Sequence, residues 1–237
     1  PHIKGLYYQS RLPSNRLKQI PNGVDTKLFH PAMAGEKEML RNQLGLPEKM
    51  KLILFVGHFS HEKSPDILLE AWKQHVAEKF PDTGIIFIGS TNPDHYEVDS
   101  ELVNDILQQA QPFINERIFF IGKTQEIDKV YKAVDMIVLP SLREGLSNSL
   151  LESMACRLPV VVSHLEGITD WVVTDGVNGL LVEPANRDDL GNAMMHILDD
   201  DVLAESLGQE ARETIVERFS IQKVAQDYLQ LYDELTS

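Results

Sequence analysis

Six short runs of apolar residues punctuate the chain, and most end on glycine, proline or serine. Leu52 to Val56, Ile85 to Ile88, Ile118 to Ile121, Met136 to Leu139, Val160 to Val162 and Gly179 to Val182 are too short for core helices. They carry little alternation, as expected of strands covered on both faces. Between them the period lengthens. From Asp66, the residues Ile67, Leu68, Ala71, Trp72 and Val76 share one helical face that runs out near Pro81. Glu101 to Ala110, Glu126 to Ala133 and Asn148 to Cys156 read as further helices. From Arg187 onward the chain is helical, broken near Asp199 to Asp201 and at Phe219-Ser220, where Ser220 is an N-cap candidate.

Strands alternating with helices of about ten residues imply right-handed βαβ crossovers and a parallel sheet. The expected fold class is therefore α/β, a Rossmann-like doubly wound domain. Residues 1–30, with Pro21, Asn22-Gly23 and Pro31, read as an irregular linker. Residues 31–218 form the domain, and 219–237 a terminal helix. In such sheets ligands sit beyond the carboxyl ends of the strands. That points to Gly57-His58, Gly89-Ser90, Gly122-Lys123, Ser141 to Ser147, and Ser163. No G-x-G-x-x-G follows the first strand and no G-x-x-x-x-G-K-[ST] occurs, which disfavours dinucleotide dehydrogenases and P-loop NTPases.

Composition is that of an ordinary globular chain, so it changes little; charge changes more. With 36 acidic against 22 basic residues the net charge is −14, and no basic stripe stands out. Nucleic acid is thereby excluded as a partner, and an anionic ligand must be held by a few local cations and backbone amides. The single cysteine, Cys156, lies in an apolar run and reads as core filler in a reducing compartment. No stretch is long enough to span a bilayer. His61, His95 and His164 read as surface or loop residues with no metal-site spacing, and Trp72 and Trp171 as core or interface residues.

The segment after the fourth strand carries the chemistry. A helix beginning near Ser147 directs free N–H groups and its positive dipole end back at the sheet edge. Gly145 permits close backbone approach, Glu144 lies in the loop ahead of the helix, and Glu152 lies more than one turn inside it. Two carboxylates so spaced reach different parts of one elongated ligand. Taken alone, Glu152 would be a solvated helix residue and Lys63 a surface ammonium.

The frame P-S-L-R-E-G-L-S-N-S-L-L-E-S-M-A-C-R-L-P-V-V, with its two glutamates eight positions apart, resembles the signature of family 4 glycosyltransferases of the GT-B fold. Further matches follow in order: I-P-N-G-V-D at Ile20 to Asp25, Gly57 with Glu62-Lys63, F-F-I-G at Phe119 to Gly122, and V-T-D-G-V-N-G-L-L-V at Val173 to Val182. They cover residues 20 to 237. The resemblance implies the C-terminal, donor-binding half of a retaining enzyme, with Glu152 on the ribose and Glu144 on the transferred sugar. It also implies that Gly145, Leu146, Ser147 and Asn148 line the phosphates, that the base lies near Gly122 and Lys123, and that Lys63 neutralises the leaving group. Glu144 and Lys63 are then the catalytic pair. The family's arginine after the first strand is His58 in this chain, and Ser64 stands where a glycine often follows the lysine. Histidine offers phosphate no bidentate fork, and Arg143 is the alternative cation.

The expected ligand is a nucleoside diphosphate sugar, UDP-linked, with no cofactor and no metal. The expected partner is an N-terminal acceptor-binding domain outside this sequence, which begins at Pro1, with the terminal helix packed towards it. A cytoplasmic location follows, with membrane association through the missing half. On this reading the chain binds nucleotide without turning it over. The alternatives are a catalytically weak sugar-nucleotide sensor and a related GT-B epimerase or phosphorylase.

Overall fold

The computed structural model describes residues 17–92 and 95–236. The first sixteen positions of the expected linker lie outside the described residues. Six strands form one parallel sheet: β1 (Lys51–Val56), β2 (Thr83–Ile88), β3 (Ile118–Ile121), β4 (Met136–Leu139), β5 (Val160–Ser163) and β6 (Leu180–Val182). Their order is β3-β2-β1-β4-β5-β6, with Leu54 beside Ile86 on one flank and beside Ile137 on the other. The chain therefore reverses its direction of travel across the sheet between β1 and β4. This is the crevice where doubly wound sheets hold ligands.

Eight α-helices cover the sheet among the described residues: α1 (Glu36–Gln43), α2 (Pro65–Ala71), α3 (Ser100–Ala110), α4 (Ile127–Ala133), α5 (Asn148–Ala155), α6 (Arg187–Asp199), α7 (Asp201–Arg218) and α8 (Ile221–Thr236). Alternate strand residues feed two separate cores. Leu52, Leu54, Ile137 and Val160 pack with α4, α5 and α7 on one face. Ile53, Phe55, Val138 and Val161 pack with α2, α3 and α6 on the other. Burial on both faces is why the strands read as unbroken apolar runs. The α2 helix widens into a π turn over Trp72–Val76, which keeps both Trp72 and Val76 buried.

Helix α1 had no counterpart in the sequence reading. Its buried positions are only Leu40 and Arg41, so it lacks an apolar stripe. Arg41 substitutes hydrogen bonds for apolar contact. Its guanidinium donates to the carbonyls of Ala133, Glu48 and Met50 at 2.7, 2.7 and 2.9 Å and to Asp135 Oδ2 at 2.6 Å. Asp135 also accepts from Leu52 N at 2.6 Å, so this network fixes α1 to the start of β1.

Residues 17–30 are irregular and stitched to the body. Val24 bridges Ser220, Val24 N donates to Phe219 O at 2.8 Å, and Arg212 donates to Phe29 O at 2.9 Å. Ser220 Oγ accepts from Lys223 N at 3.4 Å at the start of α8. Trp72 is fully buried under the Arg117 guanidinium, and Trp171 is a partly buried residue packed edge-on against Phe219 at 5.5 Å at the edge of the core. Cys156 is buried, and burial pushes its thiol up to about 12, which keeps it protonated and inert.

Candidate functional site

The ends of β1 and β2 meet with almost no space between them. Gly57 N donates to Ile88 O at 2.9 Å, and a Cβ added to Gly89 would lie 1.8 Å from Gly57 O. Only glycine fits at position 89. The loop after β1 then turns through Ser60 to Ser64, with Lys63 N and Ser64 N both donating to Ser60 O. Ser64 is left-handed at φ 52°, which explains the glycine common at this point in the resemblance. Its hydroxyl, donating to His61 O at 2.7 Å, helps hold a conformation that costs a non-glycine residue about 1 kcal/mol or more.

That turn delivers Lys63 across the switch point. Its Nζ lies 2.6 Å from Glu144 Oε1, which also accepts from Ser141 Oγ at 2.8 Å. The loops carrying these groups are joined through their backbones, with Leu142 N donating to Glu62 O at 2.8 Å. The sequence reading placed Lys63 and Glu144 in one site without pairing them; the fold makes them direct partners. A small open recess lies beside them between the ends of β4 and β5, lined by Ser141, Glu144, Ser147, Leu150 and Ser163 among others.

Helix α5 starts at Asn148 after Ser147, and Ser147 makes no side-chain cap. Its hydroxyl pairs with Ser149 Oγ at 2.9 Å instead. Ser147 thus leaves the helix's first N–H groups without a side-chain cap, an arrangement suited to an anion. Gly145 and Gly122 meet no neighbour within 4 Å of an added Cβ, so both open onto free space. Leu146 is half-buried against the core behind the loop, and Asn148 is exposed, accepting from Asn22 at 3.2 Å.

Glu152 lies farther along α5. The hydroxyl of Tyr131, a fully buried residue of α4, donates to Glu152 Oε2 at 3.0 Å. Burial raises the Glu152 carboxyl above its ordinary value, while the Tyr131 hydrogen bond acts against that rise. Tyr131 itself is pushed well above its usual range, first by burial and then by the Glu152 charge, so it remains a donor. Sequence reasoning missed Tyr131. Its one signal was an aromatic with a polar tip on the inner face of a helix, which usually needs a buried partner.

Other expected residues stand apart. Arg143 is exposed and paired with Glu62 at 3.1 Å. Gly122 and Lys123 are exposed after β3, at the sheet edge two strands from β1. His58 follows β1 as expected, but its Nδ1 faces Glu97 Oε2 at 2.9 Å and its ring stacks on His95.

Strand order, the switch-point crevice and the uncapped α5 terminus define the class: a Rossmann-like α/β domain of the GT-B kind. The chain belongs to the glycosyl transferases group 1 family, whose model matches residues 36–214. It is 30% identical over 236 residues to the Escherichia coli UDP-Gal:alpha-D-GlcNAc-diphosphoundecaprenol alpha-1,3-galactosyltransferase, covering 98% of this chain and 57% of that one. The Anabaena protein HepE, solved in complex with UDP, shares the fold at a TM-score of 0.86 and 23% identity, over 98% of this chain and 61% of that one. The C-terminal domain of the group 1 family protein LpcC from Francisella tularensis superposes at a TM-score of 0.71 and 26% identity, over 84% of this chain and all of that domain. The chain spans about three fifths of the length of the galactosyltransferase and of HepE. Among the described residues, no helix is long and apolar enough to cross a membrane.

Proposed function

We propose that this chain is the donor-binding domain of a retaining glycosyltransferase and that it holds a UDP-linked sugar across the β1–β4 switch point. The observation that carries this reading is the line of groups there. The Glu152 carboxylate is oriented by Tyr131, the uncapped start of α5 follows, and the Lys63–Glu144 pair completes it. Such a line matches ribose, diphosphate and sugar in turn. Glu152 accepts from the ribose hydroxyls, and the amides from Gly145 to Asn148 face the phosphates. Lys63 neutralises the leaving group, and Glu144 contacts the sugar. Gly122 and Lys123 flank the base. The UDP bound by HepE and the UDP-galactose named for the Escherichia coli relative support the choice of nucleotide.

An acceptor-binding partner domain is part of this reading, because the chain spans about three fifths of those relatives. Helix α8 offers it a surface: Tyr228, Leu229, Tyr232 and Leu235 are exposed, and Val224 is the buried residue of that helix. Calorimetric titration with UDP should show one site on this chain and no turnover of UDP-sugar. Absence of binding at millimolar UDP, for this chain and for a full-length parent alike, would sink the proposal.

A second reading is a sugar-nucleotide sensor that transfers poorly. It draws on His58, which is engaged with Glu97 instead of being held ready for phosphate. Robust transfer by the full-length parent that falls on His58→Ala would reject it.

A further inference from the structure

Three metal-ligating side chains converge at the carboxyl ends of β1 and β2, outside the Lys63–Glu144 and Tyr131–Glu152 pairs. They are His58, His95 and Glu97, and their ligand atoms all lie within 4.8 Å of one another. The fold brings them together by tying the two loops to each other. Gly57 N donates to Ile88 O at 2.9 Å, and beyond the cluster Asp99 N donates to Phe59 O at 2.9 Å. Within the β2 loop a tight turn, with Val98 N on His95 O at 2.9 Å, sets His95 and Glu97 on one side.

The donor set has the chemistry of a transition metal. His58 Nδ1 and Glu97 Oε2 are 2.9 Å apart, and the His58 and His95 rings stack with centroids 4.6 Å apart. Glu97 N donates to His95 Nδ1 at 3.3 Å, so that lone pair is engaged by the backbone and must be released for the nitrogen to ligate an ion. Two imidazoles and one carboxylate suit zinc, cobalt or nickel ions and are a poor match for magnesium or calcium. Ligands on a tetrahedral zinc at bonds of 2.0–2.1 Å stand about 3.4 Å apart. The ligand atoms, one pair at 2.9 Å and all within 4.8 Å of one another, bracket that spacing, and the half-exposed His58 and Glu97 side chains have room to adjust.

We propose that His58, His95 and Glu97 form a binding site for a divalent ion of the zinc class at the outer end of β1. The ion balances the carboxylate and joins the β1 and β2 loops. The site requires no nucleotide, so it stands or falls separately from the donor-binding reading.

The test is a titration of tag-free protein with Co²⁺, read by its visible d–d absorption, and with Zn²⁺ by calorimetry, both without nucleotide. One ion per chain is expected. His95→Ala and Glu97→Gln should each weaken it at least about tenfold, with unchanged circular dichroism. His61→Ala, which removes a neighbouring imidazole paired with Asp99 at 3.2 Å, should leave it intact. The proposal is overturned if the wild-type chain shows no saturable binding. It is overturned equally if His95→Ala and Glu97→Gln bind as well as wild type, or if His61→Ala abolishes binding.

Discussion

Glu152→Gln should weaken UDP binding by about 10- to 100-fold while leaving the fold as stable as before, or more so. Ribose hydroxyls donating to an ionised carboxylate form charge-assisted bonds, worth roughly 1.5–3 kcal/mol each. The amide retains one oxygen for Tyr131 but turns an NH₂ toward the ribose. The stability forecast has the opposite sign for a separate reason. Burial raises the Glu152 carboxyl, so the native state holds its proton more tightly than the unfolded chain does. Below the unfolded value both states are protonated and nothing is lost. As pH rises through the raised native value, the buried group must ionise and stability falls. At neutral pH the wild type therefore carries a cost that glutamine lacks. If the carboxylate holds the ribose as proposed, UDP affinity should in turn weaken as pH drops through the same range, and Glu152→Gln should flatten that profile. Calorimetry across pH, with urea unfolding of both proteins, checks the prediction. A UDP affinity unchanged in the variant would remove Glu152 from the ribose.

Lys63→Met should be the more damaging change at the other pair, lowering stability by about 1–3 kcal/mol as well as UDP affinity. The Glu144 side chain is 9% exposed and that of Lys63 is 28% exposed. Removing the lysine leaves a nearly buried carboxylate with Ser141 Oγ as its remaining side-chain donor. Removing the carboxylate leaves an ammonium that can turn to water, so Glu144→Gln should cost clearly less. The lower exposure of Glu144 sets this asymmetry. Lys63→Met should also reduce the salt dependence of UDP binding, because on the proposed reading it removes the charge that meets the phosphates. Urea midpoints for the two variants decide the first point, and equal losses would contradict it. Calorimetry at two ionic strengths decides the second.

The inner strands were legible because they are buried on both faces. Leu52 to Phe55 and Ile85 to Ile88 leave no polar residue to confuse the reading. Their alternation with helices was enough to give a parallel, doubly wound sheet, and hence the strand ends as the place to look. Helix α1 was not legible, because Arg41 occupies an inner position and is satisfied by carbonyls far along the chain. The terminal helix was legible as a helix. Its large exposed apolar residues show only once its attachment is known, with Ile221 N donating to Val24 O and Val224 as the buried residue.

The same division runs through the site. Local sequence determined that Glu144 precedes a helix N-terminus and that Glu152 lies within that helix, since both facts depend on residues a few positions apart. Tertiary structure alone decided the partners. Lys63 and Glu144 are 81 positions apart, and Tyr131 and Glu152 belong to different helices. His58 and His95 have no linear spacing that marks a metal site, yet strand pairing of β1 with β2 stacks their rings. Hydrophobic periodicity reports which way a side chain faces relative to its own element. Which polar groups then meet depends on the order in which the strands assemble, and short-range pattern carries no record of that order.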